Sequence, residues 1–561
     1  MSKDKKILFI PLGGCSEIGM NMYLYGFRSG KKTEYIMVDA GITFPNPEFT
    51  PGVELIMPDT TFVEDNLKDV KAIFITHAHE DHIGCLAHIF EYIEAPVYCC
   101  KFTALVAKEK INRGGGDSSL VRIASPYPKM IKAGSFSVGF FSISHSVPEA
   151  SGLVIDTECG RIFHSGDFKI DKSPVLGEPF NSKALRDLGN TGIMALICDS
   201  TNVFSEHSGR SESTLSDNFV KLFEKVEGMI VATTFASNLA RLKTLAFAAQ
   251  KTNRSLVILG RAMNNMIALG RESGVIKDFP EIIPPRDAKL IPRRNLLVLA
   301  SGSQGEPRAA SAQLARESYM GLTIQEGDIF LFSSKTIPGN EIRVARIIDR
   351  LERRGVEVLE DTGGRYHVSG HANKPDLEEM HKLINPSVLI PMHGEYRHLR
   401  EHAKLAKKNG IRSLIVTNGQ VAEIHRDANA SIIKEVPHGR IFLDGSFLVD
   451  EDEGVVSERI KLMNNGIAIV SVLVTTINPY FNFEVNLLGV PTTDDAKTRL
   501  IALLEREFEN TLSKQKTSLV SNISNNLIET ECRRLINTFF NAELGKKPQI
   551  SVCIHREDDQ D

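Results

Sequence analysis

Within the segment Thr76-His77-Ala78-His79-Glu80-Asp81-His82, four side chains that can ligate a metal fall inside six residues. The segment follows an apolar strand expected at 71–75 and precedes a helical pattern at 83–93. At a strand end the backbone turns sharply, so His77 and His79 can face one centre while Asp81 and His82, on the first helical turn, face another. Imidazole and carboxylate suit zinc or manganese, and a pair of metals needs about this many ligands. A polar loop that merely contains histidines is the bland alternative. Three of the chain's 16 histidines in one loop, framed by an apolar strand, argue against it.

The elements that must position this loop read as follows. From 7 to about 200 the chain is dominated by apolar β runs, at 7–12, 35–38, 72–76, 136–144 and 195–198. From 213 to 362, strands at 229–234, 255–259, 296–300 and 329–332 alternate with helix-length segments, which predicts a parallel sheet with crossover helices. Ser213 and Gly228 bracket one helix, and Gly355 closes another over 340–354. A stretch from 375 to 420 predicts helix, strand 388–391, helix and strand 414–416, and the acidic run 450–453 reads as a linker. Beyond it, strands at 467–474 and 481–487, helices at 494–512 and 519–541, and a last strand at 549–554 predict a separate α/β domain.

Composition bounds the function. At 561 residues the chain exceeds one hydrophobic core and suggests about three or four domains. No apolar run approaches the roughly 18 residues of a membrane span, so no membrane partner is expected. The opening Met-Ser-Lys-Asp-Lys-Lys-Ile-Leu-Phe-Ile-Pro reads as a first strand in a cytoplasmic protein, not a signal peptide. Eight cysteines without a Cys-x-x-Cys pair read as reduced apolar residues. A net charge of −4 means that any nucleic acid must be held by a local patch.

His-x-His-x-Asp-His resembles the second motif of the metallo-β-lactamase fold, and the family's other motifs follow in order. Asp39 in Ile36-Met37-Val38-Asp39-Ala40-Gly41 is similar to the first, an aspartate that braces the metal loop. His145 in Ile143-Ser144-His145-Ser146 and Asp167 in His164-Ser165-Gly166-Asp167 are similar to the third and fourth. The α/β stretch of about 150 residues that follows resembles the insert of the β-CASP nucleases, whose motifs A, B and C match Asp199, His371 and His393. Pro11-Leu12-Gly13-Gly14-Cys15-Ser16-Glu17-Ile18-Gly19-Met20-Asn21, Thr234-Phe235-Ala236-Ser237-Asn238, Gly302-Ser303-Gln304-Gly305-Glu306-Pro307, Ile337-Pro338-Gly339-Asn340-Glu341 and His393-Gly394-Glu395-Tyr396 resemble the ribonuclease J family. That likeness covers residues 7 to about 445; beyond, it rests on domain size and strand order. Leu239-Ala240-Arg241 departs from it, lacking a histidine before the arginine in a segment associated with RNA contact.

The resemblance implies an α/β fold: a metallo-β-lactamase αββα sandwich (1–210 and 361–447) around an inserted parallel-sheet β-CASP domain (211–360), then a linker (448–458) and a small C-terminal α/β domain (459–561). It implies two divalent ions, with zinc expected and manganese or magnesium as alternatives. His77, His79 and His145 would hold one, Asp81, His82 and His393 the other, and Asp167 would bridge. Two cations about 3.5–4 Å apart would activate a shared water and offset transition-state charge. His371 would act on the leaving or phosphoryl oxygen, oriented by Asp199, with Asp81 completing the catalytic set. A structural role for His371 is the alternative, since His367 stands four residues away. Ser333 and Ser334 with the turn His367, Val368, Ser369, Gly370 and His371 would form a pocket for a 5′-monophosphate.

The implied function is two-metal hydrolysis of single-stranded RNA, exonucleolytic 5′ to 3′ and endonucleolytic, in RNA maturation, including ribosomal RNA, and decay. A homodimer or homotetramer, and other RNA-decay enzymes as partners, are implied with it. A DNA-processing β-CASP nuclease is the nearest alternative, and Gly305-Glu306-Pro307 with the opening motif argues against it. A small-molecule metallohydrolase would lack the insert, and a scaffold with a dead site would lack ligands.

Overall fold

The computed structural model describes residues 5–90, 92–361, 363–425, 429–475, 480–514 and 524–557. The chain forms two compact units, Met1–Phe44 with Leu55–Ile441, and Pro45–Glu54 with Phe442–Asp561.

The first unit contains a sandwich of an eight-stranded and a seven-stranded sheet. Its strands are apolar on both faces because both faces are covered. In Lys5–Gly13, Ile7 and Phe9 enter the core between the sheets, while Leu8, Ile10 and Leu12 enter the core under the outer helices. Lys32–Val38 and Val70–Phe74 divide the same way, Ile36, Val38, Ala72 and Phe74 inward, Met37 and Ile73 outward. This is the period-2 geometry of a strand with two buried faces. Helix Lys101–Arg113 covers one outer face, and Ser182–Gly189, Lys374–Ile384 and Tyr396–Lys408 cover the other.

The insert leaves the sandwich after Ile193–Asp199 and the chain re-enters at Val388–Met392. These two strands are parallel neighbours, with Asp199 opposite Met392. Between them lies a six-stranded sheet in which every pairing is parallel, Ile230–Thr233 sitting between Leu296–Ala300 and Ile329–Phe332. Crossover helices such as Leu239–Lys251 and Glu341–Glu352 connect its strands, as alternation of strand and helix patterns requires. The fold is thus an αββα metallo-β-lactamase sandwich with an inserted parallel-sheet domain and a small C-terminal α/β unit.

In the second unit, Ile467–Thr475 pairs antiparallel with Tyr480–Leu488 and parallel with Gln549–Glu557. Ala468, Val470, Val472 and Val474 pack under helices Asp494–Lys514 and Asn525–Leu544, against Leu500, Leu504, Ile528 and Ile536.

Local expectations differ in four places. The helical pattern at 83–93 is two single turns, Glu80–Ile83 and Leu86–Ile89, broken at Gly84 where Ile42 packs closely. The strand expected at 414–416 is a short pairing two residues earlier, Arg412–Ser413 against Val388–Leu389, whose last bond runs from the Leu414 N–H to the Leu389 carbonyl. The acidic run after Asp450 coils into a single turn, Glu451–Glu453, that leads into an unanticipated helix, Val455–Asn465. The helix expected from 519 begins at Asn525, and 519–523 lie outside the described residues. Among the described residues, no helix is long and apolar enough to cross a membrane.

Gly41 is required by a close approach: a Cβ there would lie 1.7 Å from the Asp81 carbonyl oxygen. Gly41→Ala is expected to lower stability by about 1–3 kcal/mol or more, since a packed backbone must shift, and to reduce bound metal with it. Thermal melting and metal analysis check this; unchanged values for both would remove the packing argument.

Candidate metal centre

Six side chains of the expected centre leave the carboxyl end of a strand or the loop just beyond it, while Asp81 and His82 stand on the turn Glu80–Ile83 and His371 on the loop before Lys374–Ile384. Asp39 follows Lys32–Val38, His77 follows Val70–Phe74, His145 follows Phe136–Ser142, and Asp167 follows Gly160–His164. Asp199 ends its strand, and His393 follows Val388–Met392. Two sheets thus deliver their loops to one rim. Asp39 and His393 adopt the left-handed region, with φ of 61° and 50°, a conformation that costs a non-glycine residue energy and turns its side chain out of strand alternation.

Among the described residues, two groups that could hold a metal ion form there and share Asp167. His77, His79, His145 and Asp167 offer donor atoms within 4.8 Å of one another, as do Asp81, His82, Asp167 and His393. In the first group, His79 Nδ1 lies 3.1 Å from His77 Nε2 and 3.0 Å from His145 Nε2. Ring nitrogens that close suit a shared tetrahedral ion about 2.0–2.1 Å from each. In the second, Asp167 Oδ2 lies 3.2 Å from His82 Nε2, Asp167 Oδ1 lies 3.0 Å from His393 Nδ1, and Asp81 Oδ2 lies 3.2 Å from His393 Nε2.

The residues around these groups decide which nitrogen faces inward. His82 Nδ1 lies 2.7 Å from Asp39 Oδ2, and Thr76 N–H donates to Asp39 Oδ1 at 2.7 Å, so one carboxylate holds both the histidine and the loop. His145 Nδ1 donates to the Gly370 carbonyl at 2.6 Å, leaving Nε2 for the centre. Asn21 grips the Asp81 carbonyl from its backbone N–H at 2.9 Å and its side-chain amide at 3.0 Å. Asn21 stood in the opening motif without a role; the signal for it is the sharp Gly19-Met20-Asn21 turn, at which Gly19 and Met20 both have positive φ.

The electrostatics fit divalent cations. Burial lowers the His79 ring to about 4 and puts His77 and His145 well below the usual range, so all three present lone pairs. Burial opposes charge on His82 too, but Asp167, Asp81 and Asp39 together lift it to about 10. Asp167 stays well below the carboxylate range despite burial, held there by His393, His82 and His371. The acids therefore demand positive charge, which divalent ions would supply on taking up the lone pairs. Among the described residues, buried Asp167 Oδ1 and His393 Nε2 make no contact of hydrogen-bond geometry, although a ring nitrogen and a carboxylate oxygen lie 3.0 and 3.2 Å away, a closeness that suits atoms sharing an ion.

A third group, Asp167, Asp199, His371 and His393, adjoins these. His371 Nδ1 lies 2.8 Å from Asp199 Oδ2, which leaves Nε2 directed elsewhere. Although burial opposes it, Asp199 and Asp167 raise the His371 ring above its ordinary value. Asn202 Nδ2 donates to Ser369 Oγ at 2.7 Å and ties the two loops together, a contact with no separate sequence signal.

The expected phosphate pocket is assembled differently from the reading of its hydroxyls. Ser333 is fully buried; its Oγ donates to the Tyr366 carbonyl at 2.7 Å and accepts from Arg241 Nη1 at 2.9 Å, so it is already engaged. Among the described residues Ser334 Oγ is buried without a hydrogen-bond partner, and Ser369 Oγ accepts from the His371 N–H at 3.1 Å. His367 is kept neutral, lowered to about 3 by burial with Arg241, Lys335 and Lys169 adding to the effect, so three cations stand around it. Arg241 itself is fully buried against Glu212, so its guanidinium is not an RNA contact.

Four family models match in chain order: the metallo-β-lactamase superfamily over 19–195, the ribonuclease J β-CASP domain over 227–351, the Zn-dependent metallo-hydrolase RNA specificity domain over 365–416, and the ribonuclease J C-terminal domain over 454–557. Ribonuclease J of Sinorhizobium meliloti is 36% identical across 99% of this chain and 98% of its own. The chain belongs to the ribonuclease J family. Ribonuclease J of Synechocystis is 31% identical across 99% of this chain and 88% of its own. A solved structure of an Enterococcus faecalis V583 protein of unknown function aligns with TM-score 0.51 at 18% identity, over 76% of this chain and 100% of that one, and shows the shared fold alone.

Membership makes the chain a metal-dependent hydrolase of the ribonuclease type. Asp39 holds His82, a candidate ligand, and belongs to none of the donor groups, so Asp39→Asn is expected to weaken metal binding by about 10–100-fold while the fold persists. Competition with a chelator, read beside circular dichroism, checks it; wild-type metal affinity would show that Asp39 only packs.

Proposed function

We propose that the chain is a dinuclear metal ribonuclease that hydrolyses single-stranded RNA from 5′-monophosphorylated ends in the 5′ to 3′ direction and also cuts internally, in RNA maturation and decay. The observation that carries this reading is the buried Asp167 carboxylate, common to all three donor groups. His77, His79 and His145 would hold one ion, Asp81, His82 and His393 the other, and Asp167 would bridge them. Zinc is the proposed metal, with manganese or magnesium as alternatives. When bound, such a pair supplies a hydroxide-like nucleophile at neutral pH and neutralises charge on the phosphoryl oxygens.

The chain's own residues supply the rest. Asp199 holds His371 at Nδ1, so the ring presents Nε2 to the phosphodiester and can pass a proton to the departing oxygen. The loop of Ser369 and Gly370 keeps His371 beside the centre, because the Gly370 carbonyl is itself held by His145. The buried Ser334 hydroxyl and Lys335, the cation beside His367 left besides the paired Arg241 and Lys169, favour a terminal phosphate there. One phosphate would be accommodated; two more would require further charge neutralisation. We place the sandwich at 1–210 and 361–447, the insert at 211–360 and the C-terminal domain at 459–561, and assign the last to self-association as a homodimer or tetramer. Its own core, Val470 and Val472 against Leu500 and Ile536, supports a module separate from the metal loops.

His371→Ala is expected to lower turnover by about 10²–10⁴-fold with metal content retained, the range of a lost general acid. Quenched-flow rates with metal analysis check it; metal lost in parallel would make His371 a ligand. On end-labelled RNA, the 5′-monophosphate should be digested faster than the triphosphate; equal rates would remove the pocket. Truncation after Asp450 should shift the mass in light scattering towards monomer, and an unchanged mass would place self-association elsewhere.

A further inference from the structure

The loop that leads to His371 is held by its carbonyls, and the donors all come from the insert or its junction with the sandwich. Arg210 donates to the carbonyls of Gly364 and, at 3.0 Å, His367. Asn218 donates to Arg365 at 2.9 Å, and Arg241 to Tyr366 at 3.1 Å. Four consecutive carbonyls are thereby turned towards residues 210–241. In a planar trans peptide the N–H lies opposite the carbonyl, so the N–H groups of His367 and Val368 face away from the insert. Successive N–H groups aimed to one side form an anion-binding concavity.

Arg241 is the centre of this arrangement. It is fully buried and makes a two-pronged pair with the carboxylate of Glu212, itself nearly buried. Its Nη1 also donates to the Ser333 carbonyl at 2.6 Å and the Ser333 hydroxyl at 2.9 Å. Glu212 in turn joins the loop of Asp167: its N–H donates to Asp171 Oδ2 at 3.3 Å, and Asp171 pairs with the buried Lys169 at 3.0 Å. One guanidinium therefore links the Ser333 strand end and the Tyr366 carbonyl, and through Glu212 the segment that follows Asp167. A lysine could keep the charge but not the fork.

We propose that the Arg241–Glu212 pair, with Arg210, is a positioning device that sets the loop from Gly364 to His367 in the orientation that receives the 5′-phosphate. It makes the insert a determinant of 5′-end discrimination, without contact between these side chains and the RNA. The proposal rests on the phosphate-pocket reading above.

Removing Arg241 outright would leave Glu212 buried and unpaired, a loss large enough to unfold the insert. The test therefore uses Arg241→Lys, and Arg210→Ala at an exposed position serving neighbouring carbonyls of the same loop. The measurement is kcat/KM on one RNA sequence bearing either a 5′-monophosphate or a 5′-hydroxyl, with bound metal determined in parallel. Both variants should lower the monophosphate to hydroxyl ratio by about tenfold, the effect of losing about one oriented charge-assisted hydrogen bond. The rate on 5′-hydroxyl RNA should stay within about twofold and metal content should not change, since only phosphate recognition is altered. A parallel fall on both substrates, or a ratio that stays at the wild-type value, overturns the proposal. A wild-type enzyme indifferent to the 5′ end overturns the pocket reading and this device with it, an outcome distinct from either variant result.

Discussion

The buried carboxylate of Asp167 is the constraint on which the molecule turns. It is 1% exposed and faces the rings of His77, His82, His145, His371 and His393 at 3.0–3.8 Å. An isolated charge in such a place is too costly to keep, so a carboxylate persists there only if positive charge surrounds it. With Asp39, Asp81 and Asp199 also present, the site concentrates negative charge beyond what neutral imidazoles can offset. Under the function proposed above a pair of divalent ions would supply that charge, and the same field would act on a phosphodiester.

Holding such charge in place takes support from outside the ligands. Asp39 spans the loop and His82, Asn21 grips the Asp81 carbonyl, and Gly41 lets two backbones touch. The left-handed turns at Asp39 and His393 show where the chain accepts local cost to aim a side chain. The rigidity comes from two sheets buried on both faces, whose strands end at one rim and cannot tilt without disturbing the core between them.

The insert is best understood from its attachment. It departs and returns through adjacent parallel strands, so it can be large without separating Asp199 from His393. Its own contacts, through Arg241 and Asn218, and that of Arg210 at the junction then reach the loop before His371. An elaborated domain thereby acts on a site built by another, by holding backbone carbonyls.

The linear order of residues was enough to read the metal loop at 77–82, the alternation of strand and helix from 213 to 362, and the seven ligand candidates, because each depends on short-range spacing or on motifs in a known order. Strand positions inside the cores were legible for the same reason, buried faces leaving unbroken apolar runs. What spacing could not show was how hydroxyls and charges are shared across the fold. Ser333 looked available as a turn residue, yet Arg241 and Tyr366 occupy it, and the segment of Arg241 was associated with RNA contact, yet the arginine is paired inside with Glu212. Those partners lie some 30 to 130 residues apart in sequence and meet only when the insert packs. Hydrogen bonds and ion pairs of that range leave no periodic trace in a chain, because they depend on where whole elements dock and not on the local rise and turn of the backbone.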